Sequence, residues 1–168
     1  MSPTQTTVKA STAVPLLYRL PLLVIEPLCS LNGAVMALRN PRDYTAKITR
    51  DLATYHPANQ YLYTQLAGAW LLFGLSEVLV LGLVDDLRVW RLLCAAMLAS
   101  DVVYHVSSVQ AVGGWERFVR FGEWGAFDWA VFVSAVVPMV VRALVVLGVG
   151  VRAQGPSREA GKGKGKGE

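Results

Sequence analysis

The chain has 168 residues, of which 54% are apolar and 17% charged, well short of the roughly 25% charge of a soluble domain. Its formal charge is +4, and most of that excess comes from Lys162, Lys164 and Lys166 in the terminal GKGKGKGE. These figures exclude a disordered chain, a disulfide-stapled secreted domain and most soluble enzyme folds, and they carry no nucleic-acid signal.

In chain order, residues 1–14 are polar and low in complexity, and read as a flexible N-terminus. Four apolar blocks follow, at about 16–38, 61–84, 89–110 and 126–151. Each is near the roughly 20 residues that a bilayer-spanning helix needs. In lipid, such a block must satisfy its own backbone hydrogen bonds and so becomes a helix. Arg19 and Glu26 interrupt the first block, which favours a retained span over a cleaved leader. Pro21, Pro27 and Pro138 predict kinks in the first and last spans. The connection 39–60 is long, whereas VDDLR (84–88) is a tight turn that pairs the second and third spans as a hairpin. In the third connection, 111–125, Trp115, Phe118, Phe121 and Trp124 read as an interfacial belt or as a lid over a pocket. Residues 152–168 read as a disordered basic Gly/Lys tail. The predicted class is all-α, a polytopic membrane protein built as a bundle of four transmembrane helices.

Four spans place both termini on one side. That side holds Lys9, Arg19, Arg88, Arg91, Arg152, Arg158 and the three tail lysines, against Arg39, Arg42, Lys47, Arg50, Arg117 and Arg120 on the other. The excess predicts cytosolic termini; the membrane expected is that of the endoplasmic reticulum. Cys29 and Cys94 lie inside apolar blocks, with no metal-ligand spacing, and read as small buried hydrophobes.

Six ionisable residues inside the apolar blocks are informative: Glu26, Glu77, Asp101, His105, Asp128 and Arg142. A charge at the bilayer centre costs at least a few kcal/mol, so such residues pair, face the bundle interior or mark a functional path. From helix rise, Glu77, Arg142, Glu26 and Asp101 lie roughly 10, 12, 15 and 18 Å from the side of the termini. One residue from each helix therefore falls in a single slab, which is how helix bundles build sites. His105 is one turn beyond Asp101, and Asp128 is close to the far interface. In the slab, three carboxyls face one guanidinium. With a single counter-charge at low dielectric, at least one carboxyl is expected to keep its proton. A neutral acid beside an ionised one suits general acid–base chemistry. The residues also allow plainer roles: Arg142 locking two helices, Asp101 and His105 as a local pair, Asp128 as a helix cap. One histidine and no HxxH, HxxE or ExxH leave metal chemistry without a motif, and no cofactor is implied.

The stretches IEPLCSLNGA (25–34), QLAGAWLLFGLSEVLVL (65–81), DLRVWRLLCAAMLASDVVYH (86–105) and WGAFDWAVF (124–132) resemble a family of small fungal four-helix membrane proteins. Most members are labelled only as a domain of unknown function, and some lie in secondary-metabolite clusters. The resemblance extends to membrane-bound epoxide hydrolases of aurovertin- and citreoviridin-type polyene pyrone pathways. It covers roughly residues 16–151, including Glu26, Glu77, Asp101, His105, Trp124, Asp128 and Arg142. Gly82 stands where the resemblance implies a basic residue.

The function expected from the resemblance and the charged slab together is opening of an epoxide, by water or an internal hydroxyl, on an apolar polyketide or terpenoid dissolved in the bilayer. In that expectation Glu77 and Asp101 are the acid–base pair, and Arg142 organises them. Glu26 and His105 tune proton supply, Asp128 and Trp124 line the far entrance, and Trp70 and Tyr104 contact the substrate. An acid–arginine–acid arrangement is an analogy with small non-covalent epoxide hydrolases of other folds. The rivals are a membrane terpene cyclase or sterol-type isomerase, and a non-catalytic lipid-binding, scaffolding or proton-relay protein. A homodimer in which two copies build the site stays open.

Overall fold

The four apolar blocks form four long helices in the computed structural model, which describes residues 7–152. They are α1 (Leu16–Arg39), α2 (Pro57–Leu81), α3 (Leu87–Ala111) and α4 (Ala126–Leu147). Each is long and apolar enough to cross a membrane, and the described residues contain no strand. The basic Gly/Lys tail lies outside the described residues, apart from Arg152.

Helix ends follow local chemistry. Asn40 breaks α1, and Pro41 opens a short helix, Pro41–Thr49, at the position where a missing N–H costs nothing. Arg50 and Asp51 then reverse the chain in the left-handed region, at φ 50° and 60°. Asp86 caps α3 by accepting from the Arg88 N–H at 2.7 Å. The last span stops at Leu147, four residues before the apolar block does. Gly148 adopts φ 75°, and the N–H of Val149 closes back on the Leu144 carbonyl.

The packing is inside-out relative to a soluble bundle. Leu17, Leu72, Leu83 and Val103 are about three-quarters exposed, at 75%, 70%, 77% and 69%, while Glu77 and Arg142 are at 0%. That arrangement is compatible with an integral membrane protein. α1 packs chiefly on α2, and α3 chiefly on α4. Small residues make the first contact: Ala34 and Ala37 meet Ala67, beside Leu66 and Trp70. Trp90, Leu22, Cys94 and Val145 fill the end of the bundle near the termini. Cys94 is thus the buried hydrophobe expected, whereas Cys29 is exposed on α1.

Residues 8–14 depart from the expected flexible N-terminus. Ala10, Ala13 and Val14 are buried against the near end of the bundle. The Val8 carbonyl accepts from the Leu87 N–H, and the Ala13 carbonyl from the Arg152 N–H, both at 2.9 Å. Ser11 donates its N–H and its hydroxyl to the two Asp85 carboxylate oxygens, at 2.7 and 2.8 Å. The segment is polar in composition, yet its few apolar residues recur at helical spacing and form a strap over the hairpin turn.

These two hydrogen bonds hold the Asp85 carboxyl below the usual aspartate range. A carboxyl lowered in the fold favours the docked strap above its ordinary range and loses that advantage as pH falls through the lowered value. Hydrogen exchange at the Leu87 amide should therefore stay slow from neutral pH to below the ordinary aspartate pKa, then quicken. Asp85→Asn should already exchange fast at pH 7. Equal protection in the variant and the wild type would show that Asp85 does not hold the strap.

Candidate functional site

Two features of the helices bring the slab residues together. First, α1 contains a π-helical turn at Pro21–Ile25 and α2 another at Glu77–Leu81. Glu26 ends the first, donating its N–H to the Pro21 carbonyl; Glu77 begins the second, accepting from the Gly82 N–H. Each wide turn re-aims the following or preceding face, and such turns recur at functional sites. Second, Gly74 lets α2 approach α1. A Cβ there would lie 3.3 Å from the Ser30 side chain and 3.5 Å from the Pro27 backbone. That close approach sets Glu77, one turn later, beside Glu26.

Arg142 of α4 sits at the junction, fully buried. Its Nη1 donates to Asp101 Oδ2 at 2.7 Å. Its Nη2 donates to Glu77 Oε1 at 2.7 Å and to Glu26 Oε2. The guanidinium carbon lies 4.7 Å from the centre of the Phe73 ring, a cation–π contact in a desolvated place. Glu26 and Asp101 are 6% and 7% exposed, and Glu77 is at 0%. Arg142 Nε and Glu77 Oε2 have no hydrogen-bond partner among the described residues. Four of the six expected site residues thus meet in one ion-paired knot, one from each helix.

The knot forms the floor of a cavity of about 570 Å³. Glu26 and Asp101 line it, whereas Glu77 and Arg142 do not. The expected pairing of Glu77 with Asp101 as the groups facing a ligand therefore changes: the carboxyl that reaches the cavity beside Asp101 is Glu26. Trp70 and Tyr104 line the wall, with ring centroids 5.4 Å apart. Ser30, Ser100 and Ser134 add hydroxyls, and Phe73 and Met36 add apolar surface. Ser30 was legible as a polar residue one turn after Glu26, although the charge pattern drew no attention to it. Tyr44 and Ile48 reach the cavity from the short helix Pro41–Thr49, and nothing in that polar connection signalled them. Burial raises the Tyr44 phenol above its ordinary value, so it stays neutral.

His105, Asp128 and Trp124 gather elsewhere. They line a small cavity of about 40 Å³ toward the far end, which shares Ile48, Tyr104, Phe127, Val131 and Ala135 with the large one. His105 does not meet the Asp101 carboxylate; its Nδ1 lies 2.7 Å from the Asp101 backbone carbonyl. A carbonyl only accepts, so Nδ1 carries the hydrogen. Asp128 accepts from the Gly125 N–H at 2.9 Å, capping α4, and from Arg50 Nε at 2.8 Å. Trp124 donates to the Phe118 carbonyl and packs on Phe118, Phe121, Trp129 and Phe132. Within the connection, Trp124 turns inward while Trp115 and Phe121 stay exposed, so it has both lid-like and belt-like members.

A domain of unknown function, DUF7704, matches residues 11–152. The chain belongs to the DUF7704 family. The DUF7704 match takes in the strap from Ser11 onward, all four helices and every residue of the Arg142 knot. Comparisons with curated proteins and with solved structures find no match for this DUF7704 chain.

Removing one partner from a buried charge cluster leaves the others uncompensated, a loss of about 3–5 kcal/mol. Arg142→Met should therefore lower unfolding stability in micelles by about that amount. Adding Glu26→Gln, Glu77→Gln and Asp101→Asn to it should recover most of the loss. A single variant as stable as wild type would mean that the knot does not hold the helices.

Proposed function

We propose that this DUF7704 protein is a membrane-embedded acid–base enzyme that opens an epoxide on an apolar polyketide or terpenoid, by hydrolysis or by attack of an internal hydroxyl. One juxtaposition supports this most: Glu26 and Asp101, tied to different nitrogens of one guanidinium, both line a cavity of about 570 Å³. That volume lies within the roughly 300–1,000 Å³ of small-molecule sites. Its wall is mostly apolar and aromatic, which suits a hydrocarbon chain, and Glu26 and Asp101 supply its carboxyls.

The chemistry needs two carboxyls of opposite charge state. One protonates the ring oxygen as the C–O bond breaks. The other removes a proton from the attacking water or hydroxyl as the new C–O bond forms. Held in a desolvated place, both act without solvent reorganisation. Arg142 fixes their spacing, and Glu77 completes the knot behind them. Tyr44, Trp70 and Tyr104 grip the body of the substrate. The outward apolar faces of α1–α4 support insertion in a bilayer, where such a substrate accumulates. The excess of basic residues beside the termini supports a cytosolic orientation, and the resemblance to fungal secondary-metabolite proteins supports the endoplasmic reticulum.

The test is turnover of an epoxy-polyene or bisepoxide by the full chain in microsomes or nanodiscs. Glu26→Gln and Asp101→Asn should each lower the rate at least about 100-fold, as loss of a general acid or base does. Turnover at the wild-type rate in both variants contradicts the proposal. So does an inert wild type that instead dissipates a pH gradient in proteoliposomes, since that result assigns the carboxyls to proton movement.

A further inference from the structure

The knot is unevenly wired. Glu26 and Glu77 accept from the same nitrogen, Nη2, so both carboxyl oxygens lie within 2.7 Å of one atom. Asp101 has Nη1 to itself. Among the described residues, no second cation bonds any of the three carboxyls: Lys47, Arg50 and Arg120 pair with Asp43, Asp128 and Glu123. The near neighbours from α1 and α3 are Cys29, Cys94 and His105, and the aromatic ring beneath the guanidinium is Phe73 of α2.

One guanidinium balances one carboxylate. A buried cluster with two uncompensated negative charges is costly, and the cost falls when the surplus acids hold protons. The crowding decides which they are. Two carboxylates on one nitrogen repel, as in paired-acid sites generally, and Glu77 Oε2 would carry its charge with no donor at all. Asp101 is uncrowded, and aspartate is intrinsically the stronger acid.

We infer that the resting knot places its single negative charge on Asp101, while Glu26 and Glu77 carry protons, so that Glu26 is the general acid and Asp101 the general base. This rests on the acid–base reading above and assigns the two roles within it. In hydrolysis, Glu26 gives its proton to the ring oxygen as the ring C–O bond breaks. Water forms the new C–O bond and gives a proton to Asp101. The proton gained by Asp101 returns to Glu26 by exchange through the hydroxyls in the cavity, and the balance is epoxide plus water to diol. Glu77 is a positioning residue: as a neutral acid behind Nη2 it leaves the counter-charge of Arg142 to Asp101.

Infrared difference spectroscopy of the reconstituted protein at pH 7, without substrate, tests the assignment. Wild type should show the carbonyl stretch of two neutral carboxyl groups, shifting in heavy water. Glu26→Gln and Glu77→Gln should each remove one contribution, and Asp101→Asn should remove neither. Absence of the band in wild type overturns the inference, as does its loss in Asp101→Asn or its persistence at full strength in Glu26→Gln. The measurement needs no turnover: a band lost in Asp101→Asn or unmoved in Glu26→Gln reassigns the protons and leaves the proposed reaction standing, whereas no band in wild type removes the neutral acid that the reaction itself needs. An inert enzyme with the expected spectrum would overturn the reaction and leave the charge assignment intact.

Discussion

A single guanidinium organises the molecule. Arg142 takes one carboxyl from each of the other three helices, fully out of contact with solvent. Were this apolar-surfaced bundle in a bilayer, side-chain packing between its helices would gain little from the hydrophobic effect, because lipid tails are as apolar as leucine. Polar contacts inside would then carry an unusual share of helix association. The two π-helical turns aim Glu26 and Glu77, Gly74 lets their helices close up, and Phe73 supplies a face for the cation.

The knot also divides the bundle. On the side of the termini, Leu22, Trp90, Cys94 and Val145 pack it shut, and the strap of residues 8–14 seals the turn between α2 and α3. The two aspartates of that turn do different work: Asp85 anchors the strap and Asp86 caps α3. On the other side the helices leave a cavity, roofed in part by Tyr44 and Ile48 of the short helix Pro41–Thr49. Arg50 ties the first connection to the start of α4 through Asp128. The bundle thus has a closed end, a charged floor and a largely apolar chamber.

Much of this was legible in the sequence, for a physical reason. Charge in an apolar helix is so costly that its position carries information, and simple helix rise brought Glu26, Glu77, Asp101 and Arg142 to one level. Helix rise says nothing about azimuth. It therefore could not show that Glu26, and not Glu77, shares the cavity with Asp101. Nor could it show that the His105 ring turns to a backbone carbonyl while the Asp101 carboxylate turns to Arg142. The π-helical turns had only prolines as a hint, and prolines predict a kink without its kind. Asp128, read from sequence as a cap or an entrance residue, caps α4 through Gly125 and pairs with Arg50 while lining the small far cavity. The strap escaped because Ala10, Ala13 and Val14 are few and small, and composition averages over them.

In the proposed reaction an epoxide oxygen and its attacking group sit between Glu26 and Asp101. A structure of the reconstituted protein with an oxetane in place of the oxirane of an apolar epoxide tests it most directly. The ring oxygen should lie within hydrogen-bond reach of the Glu26 carboxyl, with the Asp101 carboxylate on the opposite face of the ring and the hydrocarbon chain along Trp70 and Tyr104. An oxetane bound away from both carboxyls, with the Arg142 knot intact beneath an empty chamber, would contradict it.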